Sequence, residues 1–577
     1  MISSSKNMTK IMTEKNSPTN SDLNMRRLDK DEIIRLERQG CRADAWESVT
    51  FAKNADLSKI RNVHFGPDVS VGEGATLQNI SGRISNCHVG ANAVIDNVYL
   101  IEFDKEAACG VGTAVCALDE TGSRPVVIYP GLSSQAATLM ARIPKWFENN
   151  IHPTLHDFLD TRSVRTEIGE NAVVRDCGRL VNVSVGAGVK VEGARSLVNG
   201  AIINNVLSGR PLAYVGYGVD AENFIIEDGM ADCGAILRNC YIGQGAHVEK
   251  GFSAHDSLFF TNCSFENGEA CALLAGPYSV SMHKGTLMIG CQTAFMNAGS
   301  STNQSNHMYK LGPVHWGVLE RGVKTASGAY IMFGAKIGAF SMIMGAHKTH
   351  PDSSDFPFSY LFGDERGATV VVPGAMLRSC GLLRDEQKWP TRDRRLKHRM
   401  PMYDRITFDV LNPFTVDSML KAIDTITTLL SRPADDDLYI RHKGMKFTRA
   451  ALERAKTLYT AAIYKYLSKT LPDSVFPDSD GEEAEDWLDV GGQIMPRPYL
   501  DKALEATSLD EVEKIFDDAF ANYAELERKW IARRFGAEWR RRSDFITMGA
   551  QQFDEMVIDD RQEYLDNLSR ETKMLDL

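Results

Sequence analysis

From Phe65 the chain counts in sixes: FGPDVS, VGEGAT, LQNISG, RISNCH, VGANAV, IDNVYL. The first position of each hexad holds Phe65, Val71, Leu77, Arg83, Val89 and Ile95. The fifth holds Val69, Ala75, Ser81, Cys87, Ala93 and Tyr99. A large aliphatic residue followed four places later by a mostly small one matches neither helix periodicity nor simple strand alternation. It matches a coil of short strands joined by tight corners, the large residue filling the interior and the small one sitting at the crowded turn. Such coils bury their faces only by stacking, so several copies are required. The register returns at Ile236, Ile242 and Val248, and again from Leu319 through Lys348. It holds around Ile168 and Leu180 with a slip near Val185, and resumes at Val371. A β-sandwich with glycine-rich turns is the alternative, but nothing in it demands a sixfold register.

At 577 residues several domains are expected. Residues 1–26 are polar, carry no secretion-type apolar stretch, and read as a disordered tail. Residues 27–50 read as a helical cap, stopped at Gly40, over the open end of the coil. The coil occupies 51–388, with a helical insertion at about 130–163 that should project, and a loop at 348–369. Residues 389–577 read as helical: Val416, Met419, Leu420, Ile423, Ile426 and Leu430 make one apolar face, and Ser508 with Glu511 forms a capping box opening another helix. These apolar and aromatic stripes suit a core or an oligomer contact better than a ligand site. No stretch approaches the roughly 18–20 apolar residues of a membrane span. The net charge of −11 argues against general affinity for nucleic acid or anionic lipid. Eleven cysteines without a CxxC pair make neither a metal nor a disulfide framework, and Cys87 and Cys240 fall at inward positions; a reducing cytoplasm is expected.

The hexads match the [LIV]-[GAED]-x-x-[STAV]-x signature, so over residues 60–388 the chain resembles the left-handed parallel β-helix proteins, the hexapeptide-repeat acyltransferases and their relatives. The fold class expected is therefore mainly β: a left-handed parallel β-helix with a helical cap, a helical insertion and an all-α C-terminal domain. The run NQSNHMYKLGPVHWGVLERGVKTASGAY, with MGAHKTHPDSSDFPFSYL after it, also resembles a large bacterial hexapeptide-repeat family with helical extensions and no assigned activity. The resemblance implies assembly into trimers with sites between subunits.

Two histidines stand where the count stops. His347 occupies the fifth position of its hexad, where an imidazole is ill suited to fill a corner; it is either a functional group or a surface side chain. His350 lies in THP, which resembles the segment carrying the general base of maltose- and galactoside-type acetyltransferases. Acyl transfer from a thioester needs a group of near-neutral pKa to take the acceptor's proton, and no nucleophilic serine. His315 precedes His350 by 35 residues, almost two coils, which would bring both to one edge. Asn297, Asn303, Gln304, Asn306, His307, Tyr309, Lys310, His315 and Trp316 crowd a non-repeating stretch and form the expected substrate-binding set for a sugar or nucleotide sugar. Their polar groups could equally satisfy a long loop's own backbone. Lys388, Arg392, Arg394 and Arg395 form a basic run suited to a phosphate of acyl-coenzyme A or of a nucleotide, or to a salt-bridged connector. No metal is expected: hexapeptide-repeat carbonic anhydrases hold zinc with three histidines, but the HxxH spacing here does not match theirs. The expectation is an acyltransferase with acyl-coenzyme A as donor. The alternative is a non-catalytic ligand-binding or scaffolding post.

Overall fold

The computed structural model describes residues 25–305, 315–435, 438–470, 484–541, 546–557 and 562. The chain divides into two compact units. One comprises the described residues up to Ser133, with Met140–Ala275 and Arg394–Tyr403; the other comprises Ser134–Leu139, Gly276–Asp393 and the described residues from Asp404 onward.

The first unit is a stack of parallel rungs. Leu77 lies opposite Ile95, Val174 opposite Val191, Leu237 opposite Ala254, and Ala254 opposite Ala270, so neighbouring rungs differ by about 16–18 residues, close to three hexads. Val71, Leu77, Ala75, Cys87, Val89, Ala93 and Ile95 are all buried, as the hexads require. One stretch departs from the count. Past the left-handed corners at Asn79 (φ 56°) and Asn97 (φ 55°), Ile80 and Val98 face inward while Ser81 is exposed and Tyr99 is 60% exposed, and the ladder shifts register between Ile80 and Arg83, beyond which Ile84 is buried. Arg83 points outward and pairs with Glu102. A shift of one residue exchanges the faces of a strand, which the hexad rule does not anticipate.

The corners explain why the rungs stay in phase. Asn62, Asn79, Asn97, Asp176, Asn199, Asn223, Asn239 and Asp256 all have φ between 48° and 56°. In this left-handed region most side chains are strained, and Asn and Asp are the best tolerated after glycine. Their side chains then bond from rung to rung: Asn62 Nδ2 donates to Asn79 Oδ1 (3.0 Å), Asn79 to Asp96 (3.0 Å), and Asn97 to Asp176 (2.7 Å). Further along, Asn199 donates to Asn223 (2.7 Å), Asn223 to Asn239 (3.0 Å), and Asn239 to Asp256 (3.1 Å).

In the stretch read as a helical cap, one helix forms and the rest joins the strands. Met25–Arg27, assigned partly to the tail by composition, is a strand antiparallel to Thr50–Ala52. The helix Lys30–Arg38 starts with a reciprocal capping box of Asp29 and Glu32. Residues 42–52 already contribute rungs, pairing with 64–65 and 69–71.

In the second unit, Leu287–Ile289, Asn303–Ser305, Tyr330–Met332 and Ala346–His347 stack in parallel, as do Lys324–Thr325, Met342–Met344 and Tyr360–Gly363. Here one line of corners is aromatic. Tyr278, Phe295, Phe340 and Phe358 all have φ of 53–59°. Tyr278 and Phe295 stack at 5.5 Å, and Phe340 and Phe358 at 5.3 Å. The intervening rung carries Gly322 (φ 73°), where a Cβ would meet the Phe340 ring at 2.2 Å. Trp389 fills the gap, 4.6 Å from Phe295 and 6.3 Å from Phe340.

Four expectations change. The expected loop at 348–369 contains the strand Tyr360–Gly363, which keeps the phase of the rungs (Ile343 opposite Leu361). Thr369–Val372 then turns back antiparallel to it, and the resumed hexads after Val371 become a 3₁₀ turn and the helix Cys380–Thr391. The insertion is helical, but Ser134–Arg142 does not project: Ser133 through Ala141 are buried. Its small residues allow close approach, and its polar ones are satisfied. The Ser134 N–H donates to Asp404 (2.7 Å), its hydroxyl to the Gly491 carbonyl (2.7 Å), and Gln135 to the Gly491 and Arg405 carbonyls. The C-terminal helices include Pro413–Leu430, Arg449–Thr470, Leu509–Ala521 and Tyr523–Arg541, but two hairpins lie among them, Tyr439–His442 with Met445–Thr448 and Trp487–Val490 with Gln493–Pro496. Among the described residues no helix is long and apolar enough to cross a membrane.

Asn223→Ala should lower the stability of the first unit by about 1–2 kcal/mol, because alanine is strained at a left-handed corner. Asn223→Gly keeps the corner and loses only the side-chain bonds, so thermal melts should rank it between wild type and the alanine variant.

Candidate functional site around His350

The chain passes Gly345 (φ 80°) into the short strand Ala346–His347, where His347 lies opposite Ile331. His347 is only 1% exposed. Its Nε2–H donates to the Met344 carbonyl (3.2 Å), which leaves Nδ1 to accept from the Thr369 hydroxyl (2.9 Å). Burial pushes its pKa down to about 4. The sequence places this imidazole either at a working site or on the surface. It is instead a neutral interior side chain with both nitrogens engaged, a hydroxyl and a carbonyl replacing the water it left.

His350 lies three residues on and is exposed. The proline after it favours extended backbone, and the main chain is held there: Lys336 N–H donates to the Pro351 carbonyl (2.9 Å), and Ser353 N–H to the Lys336 carbonyl (2.8 Å). His350 Nδ1–H donates to the carbonyl of Phe333. That bond selects the tautomer in which Nε2 carries the lone pair, on a residue open to solvent. This is the form a general base needs. The ring of His315 lies 6.3 Å from the ring of Phe333, whose carbonyl accepts from His350.

A second wall comes from far along the chain. The hairpin Tyr439–Thr448 turns at Lys443 (φ 46°) and Gly444 (φ 75°), the two-residue left-handed turn that matches strand twist. Its strand Met445–Thr448 pairs in parallel with Thr369–Val372. At the tip, Asp352 N–H points to the Lys443 carbonyl (3.4 Å), Lys443 Nζ pairs with Asp355 (2.7 Å), and a Cβ on Gly444 would stand 3.3 Å from the His350 carbonyl oxygen. Glu320, flanked by Asp489, Asp352 and Asp355, has its carboxyl pushed up to about 8, mainly by burial, and accepts from Ala339 N–H (3.0 Å).

The rungs and the segment that carries His350 fall within the match to one known family. The chain belongs to the family described as Domain of unknown function (DUF4954). The match covers residues 25–76 and 66–430, more than two thirds of the chain. A search of curated proteins finds no match. The DUF4954 description carries no activity, so the chemistry has to be read from the residues themselves.

Within this DUF4954 chain the remaining candidates divide. Asn297 is exposed and bridges the main chains of Val280 and Lys324. Gln304, expected at a substrate, is 0% exposed and stacks inside the coil between Met288 and Ile331, its carboxamide atoms without a hydrogen-bond partner among the described residues. Its neighbour Asn303 takes the opposite face. Trp316 is half-buried, and its carbonyl accepts from Gly334 N–H (2.9 Å), one residue from Phe333. Asn306, His307, Tyr309 and Lys310 lie outside the described residues.

Two residues of the basic run are engaged in packing. Arg394 donates to the carbonyls of Gly245 and Cys263 and to the Ser264 hydroxyl (3.0 Å), and Arg395 is buried with Nη1 3.5 Å from the Thr261 hydroxyl. Lys388 Nζ lies 3.9 Å from Asp385, and Arg392 is exposed at the end of its helix. A guanidinium can cap several main-chain carbonyls at once, which sequence does not distinguish from phosphate binding. For metals, Asp232, Cys233 and Glu249 are the one group among the described residues whose three ligand atoms lie within 4.8 Å.

His347 offers a pH test. An unfolded histidine titrates near 6.5 and this one near 4, so its contribution to stability is complete above about 6.5 and is lost as pH falls toward 4. The expected loss is about 3 kcal/mol. Imidazole NMR should find His347 neutral at pH 5.5, and His347→Gln should flatten the acid limb of the melting curve.

Proposed function

We propose that the chain is an acyltransferase of the hexapeptide-repeat type, folded as a left-handed parallel β-helix and assembling as a homotrimer in the cytoplasm. It moves an acyl group from acyl-coenzyme A to a hydroxyl or amine of a sugar or nucleotide sugar. The observation that carries this reading is the His350–Phe333 hydrogen bond, which holds an exposed imidazole as a base. Nε2 removes the acceptor's proton as the acceptor oxygen or nitrogen attacks the thioester carbon. The tetrahedral intermediate collapses, the C–S bond breaks, and the thiolate takes the proton back from His350. No covalent enzyme intermediate is needed. His315, across Phe333, and Trp316 lie where they can contact an acceptor, the indole offering a face to a sugar ring.

One observation favours the second reading, a non-catalytic ligand-binding or scaffolding protein: Arg394 and Arg395 are engaged in packing, which removes half of the basic group offered to a donor phosphate.

Coenzyme A release from acetyl-coenzyme A, measured against a panel of sugars and nucleotide sugars, tests the proposal. His350→Ala should lower kcat by about 10²–10⁴ and leave the oligomeric state unchanged. Acetyl-coenzyme A at a hundredfold excess over Kd should stabilise the protein by about 2.7 kcal/mol. Neither release nor stabilisation with any acyl-coenzyme A would leave the scaffold reading standing.

A further inference from the structure

One outward column of the first unit is acidic. Arg175 stands opposite Glu192 on the next rung. The pairs Val191–Val215, Val215–Ala231 and Ala231–Val248 carry the column on through Gly216, Asp232 and Glu249, and Glu266 lies opposite Glu249. Lys250 pairs with Glu266 (2.6 Å), but Glu192, Asp232 and Glu249 form no ion pair among the described residues. Carboxylate oxygens of Asp232 and Glu249 approach within 4.8 Å of each other. Like charges facing each other on adjacent strands cost free energy, and the column carries that cost in full view of solvent. Two exposed apolar side chains flank it, Tyr217, whose ring covers Gly193, and Ile236. Tyr214 lies among these groups: burial first, then the charges of Asp232 and Glu192, push its phenol up to about 12.

A second patch of the same unit has the opposite sign. The Leu207 N–H donates to the Arg399 carbonyl (2.8 Å), and Ser208 bridges Arg399 antiparallel, so the stretch 207–210 lies along 396–402. Leu207, Leu396 and Met402 are exposed there, Leu396 by 63%. Arg210, Lys397 and Arg399 are exposed among them and form no ion pair among the described residues. They differ in this from Arg394 and Arg395 of the same run, which are engaged with the rungs.

We infer that these two patches are the halves of one contact between copies of this chain. Arg210, Lys397 and Arg399 of one copy meet Glu192, Asp232 and Glu249 of the next, and Leu207, Leu396 and Met402 pack against Tyr217 and Ile236. Three cations thus meet three carboxylates, and each set brings the apolar side chains that fill the centre of a protein interface. The charges select a second copy over other occupants. A nucleic acid or an anionic membrane would engage the basic patch alone and would meet a chain of net charge −11. A second copy relieves the acidic column and occupies the basic patch in one step. Because the two patches differ, the contact runs head to tail, the kind that generates a ring when the rotation closes. In the homotrimer proposed above, on which this contact rests, each basic patch sits on its neighbour's acidic column.

Native mass spectrometry and light scattering of the full-length protein test the contact. Wild type should be oligomeric at low salt, and self-association should weaken at least about tenfold in 0.5 M NaCl. Lys397→Glu with Arg399→Glu should give folded monomers, and so should Asp232→Lys with Glu249→Lys. The four changes in one chain exchange the charges of the two patches and should restore the oligomer, a rescue that a merely structural fault would not show. If the reversed chains do not fold, crosslinking decides. Cys233 is exposed within the acidic patch, its Sγ within 4.8 Å of both carboxylates. In Leu396→Cys a short bismaleimide should join two chains through Cys233, and the added change Cys233→Ser should abolish the product. An oligomer indifferent to every charge reversal, or one without the Cys233 crosslink, overturns the contact and leaves the homotrimer standing. A wild-type monomer overturns both, as does a monomer captured by anionic vesicles, which would assign the basic patch to lipid.

Discussion

Everything in this protein hangs on the left-handed corner. A parallel rung can be followed by another only if the chain turns sharply at each edge of the coil, and each turn puts a residue at φ near +50°. That conformation strains most L-amino acids. The two units meet the strain with different chemistry. In the first, one line of corners is Asn and Asp, which offset the strain with a column of side-chain hydrogen bonds. In the second, Tyr278, Phe295, Phe340 and Phe358 accept it and recover the energy by stacking. Gly322, with no ring of its own, leaves the opening that Trp389 enters.

The coil's interior is narrow, and that narrowness sorts the histidines. A polar side chain pointing inward loses its water, and His347 is held there as a neutral ring between Thr369 and Met344. A side chain at the edge keeps access to water, and His350 is at the edge because the chain has begun to leave the rung. The main-chain carbonyl of Phe333 orients its imidazole.

The hexad pattern made the interior legible almost residue by residue: Val71, Leu77, Val89 and Ile95 point inward because aliphatic side chains recur at the pitch of the coil. It failed at Arg83, beyond a register shift, and at Ser81 and Tyr99, just past the left-handed corners at Asn79 and Asn97. The hairpin that walls His350 was not sought, although HKGM between apolar residues carries a turn signal; nothing local says that residue 444 returns to residue 350. The role of Arg394 was unreadable for a different reason. A basic run looks the same whether its partners are phosphates or the carbonyls of Gly245 and Cys263.

By itself the sequence determined the repeating unit, the parallel stacking of strands and the helical character of the flanks, because these depend on periodicities between neighbours in the chain. Tertiary structure alone decided which polar groups lose their water. It turned His347 inward, closed the helix Ser134–Arg142 away from solvent, and brought Glu227 and Asp228 together with Gly131 and Tyr403. Burial of a polar or charged group is set by what packs over it from distant segments, and the free energy of that burial is not written in any local pattern.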